Sequence, residues 1–118
     1  MATRDFSTGP LENFVTNNSQ RVRVKILNNS SSTITARVRV FRLNGTKTRT
    51  FSETVTVPSN SSEFVEVSVS SLPQFEVQIR VSNGDSDLDK VLVSVFGITL
   101  ADELNPSHRV LHKELKRI

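Results

Sequence analysis

His108 and His112 are the two histidines of the chain, and they stand four residues apart. On a helix that spacing puts both imidazoles on one face, where they can share a metal ion. Zinc takes three or four protein ligands, and Glu114 is the single further donor close by. The set falls short, so structural or solvated histidines are the simpler reading. A second run, Asn83-Gly84-Asp85-Ser86-Asp87-Leu88-Asp89, begins like a calcium loop. Counted from Asp85, however, Lys90 stands where an EF-hand needs glycine, and Phe96 where it needs glutamate. That leaves a weaker loop site or a solvated acidic turn.

Nucleophilic chemistry has no foothold either. No serine sits in a nucleophile elbow beside a histidine and a carboxylate, and four glycines build no phosphate-cradling loop. With no cysteine there is neither a thiolate metal site nor a disulfide framework. The expectation is a protein without catalysis, metal or cofactor. Asn17, Asn28, Asn29, Asn44 and Asn60 each begin an Asn-x-Ser/Thr triplet, which chance explains in a chain this rich in those residues. Met1-Ala2-Thr3-Arg4-Asp5-Phe6 carries no apolar signal core, and no stretch is long and apolar enough to span a bilayer. The chain is expected to act inside the cell that makes it, or to leave by an unusual route.

Charge is unevenly distributed. Residues 20–50 hold eight basic side chains, Arg37 and Arg39 among them, and no acidic one. Residues 51–89 hold seven acidic ones against Arg80 alone. Cross-strand ion pairing within one sheet is one explanation. The other is a subunit with a basic side and an acidic side, able to stack head to tail on copies of itself. The basic strands also meet the first need of a nucleic-acid surface. Single-strand recognition wants exposed aromatics as well, and Phe41 is the one candidate, so a solvated face is expected instead.

What must position all of these residues is sheet. Arg21-Val22-Arg23-Val24-Lys25-Ile26 and Phe75-Glu76-Val77-Gln78-Ile79-Arg80-Val81 alternate strictly, which buries one face of a strand and wets the other. Sixteen valines and seven phenylalanines supply much of the apolar bulk, and a chain of 118 residues buries enough surface for one domain. Strands are predicted over about 21–27, 33–43, 46–57, 63–69, 75–81 and 90–99. Asn44-Gly45 marks a hairpin between the second and third. In the sixth, Val91, Val93 and Val95 occupy one face while Leu92, Phe96 and Ile98 occupy the other. A strand apolar on both faces is covered twice or offers one face to a partner. The tail 105–118 admits two forms. Asn105 before Pro106, with Leu111, Leu115 and Ile118, has helix spacing, whereas a strand would close a hairpin on the sixth. Short strands broken by turns predict an antiparallel β-sandwich or jelly roll of about seven strands. Its core is expected from Val22, Val24, Ile26, Val38, Val40, Val77, Ile79, Val93 and Val95. Residues 1–20, broken by Gly9-Pro10, read as an extended arm ahead of a domain over 21–118.

Phe41-Arg42-Leu43-Asn44-Gly45-Thr46-Lys47, Val57-Pro58-Ser59-Asn60-Ser61-Ser62, Val95-Phe96-Gly97 and the closing run from Asn105 to Leu115 together resemble the exosporium protein C family of spore-forming bacilli. The resemblance covers about residues 20–118. It implies an all-β fold, hence a final strand rather than a helix in the tail, and a structural role with no catalytic residue. It also implies synthesis in the mother-cell cytoplasm and residence on the spore surface, which needs no signal peptide. Partners would be copies of the chain and other spore-surface proteins, not nucleic acid, membrane or a small-molecule substrate.

Two functions follow. One is a self-assembling subunit of the exosporium, extending to a fibre or pilus subunit. Its arm would donate Phe6, Leu11, Phe14 and Val15 to the next copy. Arg37 and Arg39 would orient the contact, and Leu92, Phe96 and Ile98 would lie near the acceptor. The alternative is a non-polymerising adhesion or carbohydrate-binding module. Sugar platforms usually present Trp or Tyr, and this chain has neither.

Overall fold

The period-two runs become strands that stack as two sheets. The computed structural model describes residues 2–13, 18–83 and 88–118. Among them the strands are β1 (Ala2–Ser7), β2 (Leu11–Glu12), β3 (Arg21–Asn28), β4 (Ile34–Leu43) and β5 (Lys47–Val57). There follow β6 (Ser61–Ser68), β7 (Gln74–Asn83), β8 (Val91–Ile98), β9 (Leu104–Val110) and β10 (Lys116–Arg117). The first sheet has the order β10-β1-β7-β4-β5, with β2 also on β7; the second has the order β6-β3-β8-β9. Every pairing is antiparallel. The fold is the all-β sandwich that the alternation predicts. The additional strands lie at the two ends of the chain, where the pattern is weakest.

All nine expected core residues are buried, and they form one cluster with Phe75, Val57, Val69, Val91 and others. Phe6 belongs to that cluster. The extended arm expected over residues 1–20 is therefore not found in its described part. β1 pairs with β7 from Ala2↔Asn83 to Ser7↔Gln78, and Phe6 faces Ile79. Without β1, the inner face of β7 would border water, so Phe6 is retained by its own core. Leu11 packs against the same cluster. Phe14 and Val15 lie outside the described residues.

The Gly9-Pro10 break is a bulge in a strand. β1 and β2 run along one edge of β7, with Ser7 opposite Gln78 and Leu11 opposite Phe75, so four steps on one side match three on the other. Thr8 donates its amide to the Val77 carbonyl and accepts the Val77 amide on its hydroxyl. Gly9 takes φ +70°, which only glycine adopts without strain. Pro10, lacking an N–H, suits the interruption.

At the other end, β9 forms the hairpin with β8 that a strand in the tail requires. Gly97 faces Asn105 and Phe96 faces Arg109, so Pro106, Ser107 and His108 form a bulge in β9. Pro106 sits there, where no ladder donor is needed. The local signal of Asn105 is spent on a turn: its Oδ1 accepts the Ser107 amide at 3.0 Å. A single 3₁₀ turn, His112–Glu114, is the tail's helical portion. The Asn44-Gly45 hairpin has a three-residue loop between paired Leu43 and Lys47, with Gly45 at φ +92°.

Candidate functional site: a buried Ser–His clasp and two outer sheet faces

The two histidines do not share a site. His108 is buried on β9, with Nδ1 2.6 Å from Ser19 Oγ and Nε2 2.8 Å from the Glu12 carbonyl oxygen. A carbonyl only accepts, so Nε2 carries the hydrogen and Nδ1 receives the Ser19 hydroxyl. Ser19 Oγ in turn accepts from Asn105 Nδ2 at 3.0 Å. Ser19 has no exposed surface, and among the described residues no carboxylate hydrogen-bonds the histidine ring. This Ser–His pair ties the segment after β2 to β9 as a buried clasp. His112 sits in the 3₁₀ turn. Its Nδ1 accepts the Val93 amide at 3.1 Å, and its ring lies 5.2 Å from that of Phe6. Among the described residues no three possible metal ligands converge.

Two buried asparagines do similar structural work. Asn13 Nδ2 donates to the carbonyls of Ser19, Val69 and Leu72, and its Oδ1 accepts the Ser19 amide. Asn28 Nδ2 donates to the carbonyls of Ser32, Val57 and Pro58. Sequence reading treats such residues as turn formers and misses these clasps. The calcium-like run falls largely on residues 84–87, outside the described part. At its described end, Asp89 pairs with Arg4.

The outer face of the first sheet is polar. Across β1, β7, β4 and β5 run the rows Asp5–Arg80–Arg37–Thr54 and Ser7–Gln78–Arg39–Ser52, followed by Glu76–Phe41–Arg49. Glu76 is held by Lys47 at 2.8 Å, by Gln78 at 3.1 Å and by the Ser7 hydroxyl. Burial pushes its carboxyl up, but these hydrogen bonds and the Lys47 charge outweigh it and leave the carboxyl below its usual range. Phe41 lies beneath two cations, Lys47 at 4.5 Å and Arg39 at 5.6 Å.

The outer face of the second sheet is mixed. Its rows across β6, β3 and β8 are Ser62–Leu27–Leu92, Phe64–Lys25–Ser94 and Glu66–Arg23–Phe96, the last continuing to Arg109 of β9. Phe64 is 53% exposed, and Leu27 and Leu92 are 39% exposed. A hollow of ≈ 320 Å³ opens beside Leu27 and Leu92, bordered by Lys25, Ser62, Ser94 and His112. Arg23 bonds Glu66 and stacks 5.4 Å from the Phe64 ring. Ile98 lies on this face opposite Arg21 and Leu104; it is buried, while Leu104 is exposed.

These rows correct the picture of a basic side opposed to an acidic side. Arg21 and Arg23 pair with Glu66, and Lys47 with Glu76, within single sheets. The sites predicted from sequence accordingly separate into three groups. Phe6 belongs to the core and Leu11 packs against it, Arg37 and Arg39 belong to the first outer face, and Leu92, Phe96 and Ile98 to the second. Both outermost strands on the β5–β6 side carry an inner-face glutamate. Glu53 is opposite Val38 and Glu63 opposite Ile26, and both are exposed. Charge in that position guards an open edge against strand addition.

No family model and no curated protein matches the chain. Among solved structures it is similar to Thermotoga maritima 1070, with TM-score 0.54 and 8% identity over 98% of this chain and 90% of that one. It is also similar to the Anabaena sensory rhodopsin transducer, with TM-score 0.49 and 13% identity over 79% of this chain and 94% of that one. At such identities the likeness concerns the fold alone.

Proposed function

We propose that this chain is a structural subunit that associates with copies of itself, the role implied by its resemblance to exosporium proteins. The outer face of the second sheet carries the reading. Phe64, Leu27 and Leu92 are exposed there on adjacent strands, and Leu27 and Leu92 are direct cross-strand partners. Single exposed hydrophobic residues are ordinary, but neighbours in register form a surface that gains from being covered. Cations and hydroxyls rim it, as at the margin of a protein interface.

Strand addition at β5 or β6 is a poor route, because Glu53 and Glu63 would be buried unpaired. Donation of the N-terminal segment is a poor one too, because Phe6 already fills its own core and Leu11 packs against it. Face-to-face contact is the route that the exposed apolar residues of the second sheet favour. The carbohydrate-binding alternative has the hollow in its favour, but among the described residues Phe64 is the one exposed phenylalanine, and sugars stack best on Trp and Tyr.

Sedimentation velocity over a concentration series tests the reading. The wild type should associate as concentration rises. A Phe64→Ser, Leu92→Ser variant should stay monomeric with an unchanged unfolding midpoint. A wild type that is monomeric throughout, or a variant that associates equally, rejects the proposal.

A further inference from the structure

The centre of the first sheet's outer face holds an arrangement that β-sheets ordinarily avoid. Arg37 of β4 stands directly opposite Arg80 of β7. Arg39 is two residues further along β4, on the same face. Like charges directly opposite one another destabilise a ladder, so a third party of opposite charge is expected near them.

The charges close by do not supply it. Asp5 is committed to Arg80, which it binds through both oxygens at 2.8 and 3.3 Å. Glu76 is committed to Lys47, Ser7 and Gln78. Among the described residues Arg37 and Arg39 have no carboxylate partner; Arg39 makes one neutral hydrogen bond, from Nη2 to Gln78 Oε1 at 3.0 Å. The Nε atoms of both Arg37 and Arg39 are shielded from solvent and have no hydrogen-bond partner. A shielded donor on a permanently charged group is costly to leave unmade. Burial, followed by the charges of Arg37 and Arg80, lowers Arg39 from its ordinary value, with Asp5 acting in the opposite sense and Arg49 adding to the lowering.

We infer that Arg37, Arg39 and Arg80 form a binding site for a doubly charged tetrahedral oxyanion of the phosphate or sulfate class. Three guanidinium groups against the single carboxylate of Asp5 leave two positive charges, which a dianion neutralises and a monocarboxylate does not. Guanidinium forks also match the oxygen spacing of phosphate and sulfate through paired N–H donors. Hydroxyls from Ser52 and Thr54 border the rows on the β5 side. The site lies on the sheet opposite Phe64 and Leu92, so it stands or falls independently of the self-association proposed above.

Inorganic phosphate is the probe. Full-length protein is titrated with sodium phosphate, and separately with sodium chloride at matched ionic strength, while the arginine Nε–Hε resonances are followed by NMR. The expected result is a saturable shift of the Arg37 and Arg39 signals in phosphate alone. Phenyl phosphate in a parallel titration tests whether a phosphomonoester enters as well. Saturation by it extends the site to attached phosphoryl groups, and its failure restricts the site to the free ion. Replacing the fork by a point charge in Arg37→Lys and Arg39→Lys should weaken phosphate binding by about tenfold each. These variants keep the charge and so spare the fold. Shifts that never saturate, or equal affinity in the wild type and both lysine variants, overturn the inference.

Discussion

Ser19 Oγ and His108 Nδ1 lie 2.6 Å apart in the interior, and Gly97 is what leaves room for them. A Cβ at position 97 would stand 2.7 Å from His108 Cβ and closer still to Ser19 Oγ. Gly97 is required here for space, since β8 must pass directly over the clasp.

Gly97→Ala should therefore destabilise the fold by about 1–3 kcal/mol, as overpacking does. Ser19→Ala should cost about 1–3 kcal/mol by removing the hydroxyl that His108 Nδ1 and Asn105 Nδ2 share. Because the two changes act on one clasp, the double variant should lose less than the sum. Urea unfolding of all four proteins measures this; strict additivity contradicts the shared clasp.

Glu76 links the fold to pH. Its folded carboxyl titrates below the ordinary value of 4.5. A depressed carboxylate adds stability above its unfolded pKa and loses it as pH falls through the folded one. Acid unfolding should show that loss in the wild type, and Glu76→Gln should flatten the acid limb. An unchanged acid limb would place the titration elsewhere.

Phe6 tests whether the N-terminal strand belongs to its own subunit. Phe6→Ala should cost about 3–5 kcal/mol, the range for a buried phenylalanine. Deleting residues 1–12 should unfold the chain, because β7 loses its neighbour along its length. A truncated protein that remains folded and cooperative would show β1 to be dispensable.

The guarded edge makes the opposite kind of prediction. Glu53→Val together with Glu63→Val removes inner-face charge from β5 and β6 without touching the core. Thermal stability should hold or rise, while light scattering on standing should increase sharply. A double variant as soluble as the wild type would mean that these glutamates guard nothing.

The alternation of Val22, Val24 and Ile26, and of Val77, Ile79 and Val81, determined the strands, their inward faces and the sandwich. Period-two burial is a local property, written every second residue. The two-faced character of β8 was legible for the same reason, and Leu92 and Phe96 do lie outside the core. The ends of the chain were not legible. Gly9-Pro10 and Asn105-Pro106 are turn signals in any local reading, and only the neighbouring strands β7 and β8 make each of them a bulge. The tail's helix spacing lost to ladders on β8, its hairpin partner, and on β1 from the far end of the chain. Arg37 and Arg80 are 43 positions apart in sequence, and the segregation of charge along the chain admitted both cross-strand ion pairs and opposed sides. Register instead set the two arginines face to face and joined Arg23 to Glu66 and Lys47 to Glu76. Pairing between distant strands is fixed by how the whole core closes, so which charges meet, and which buried Asn, Ser and His find partners, was decided by the tertiary structure.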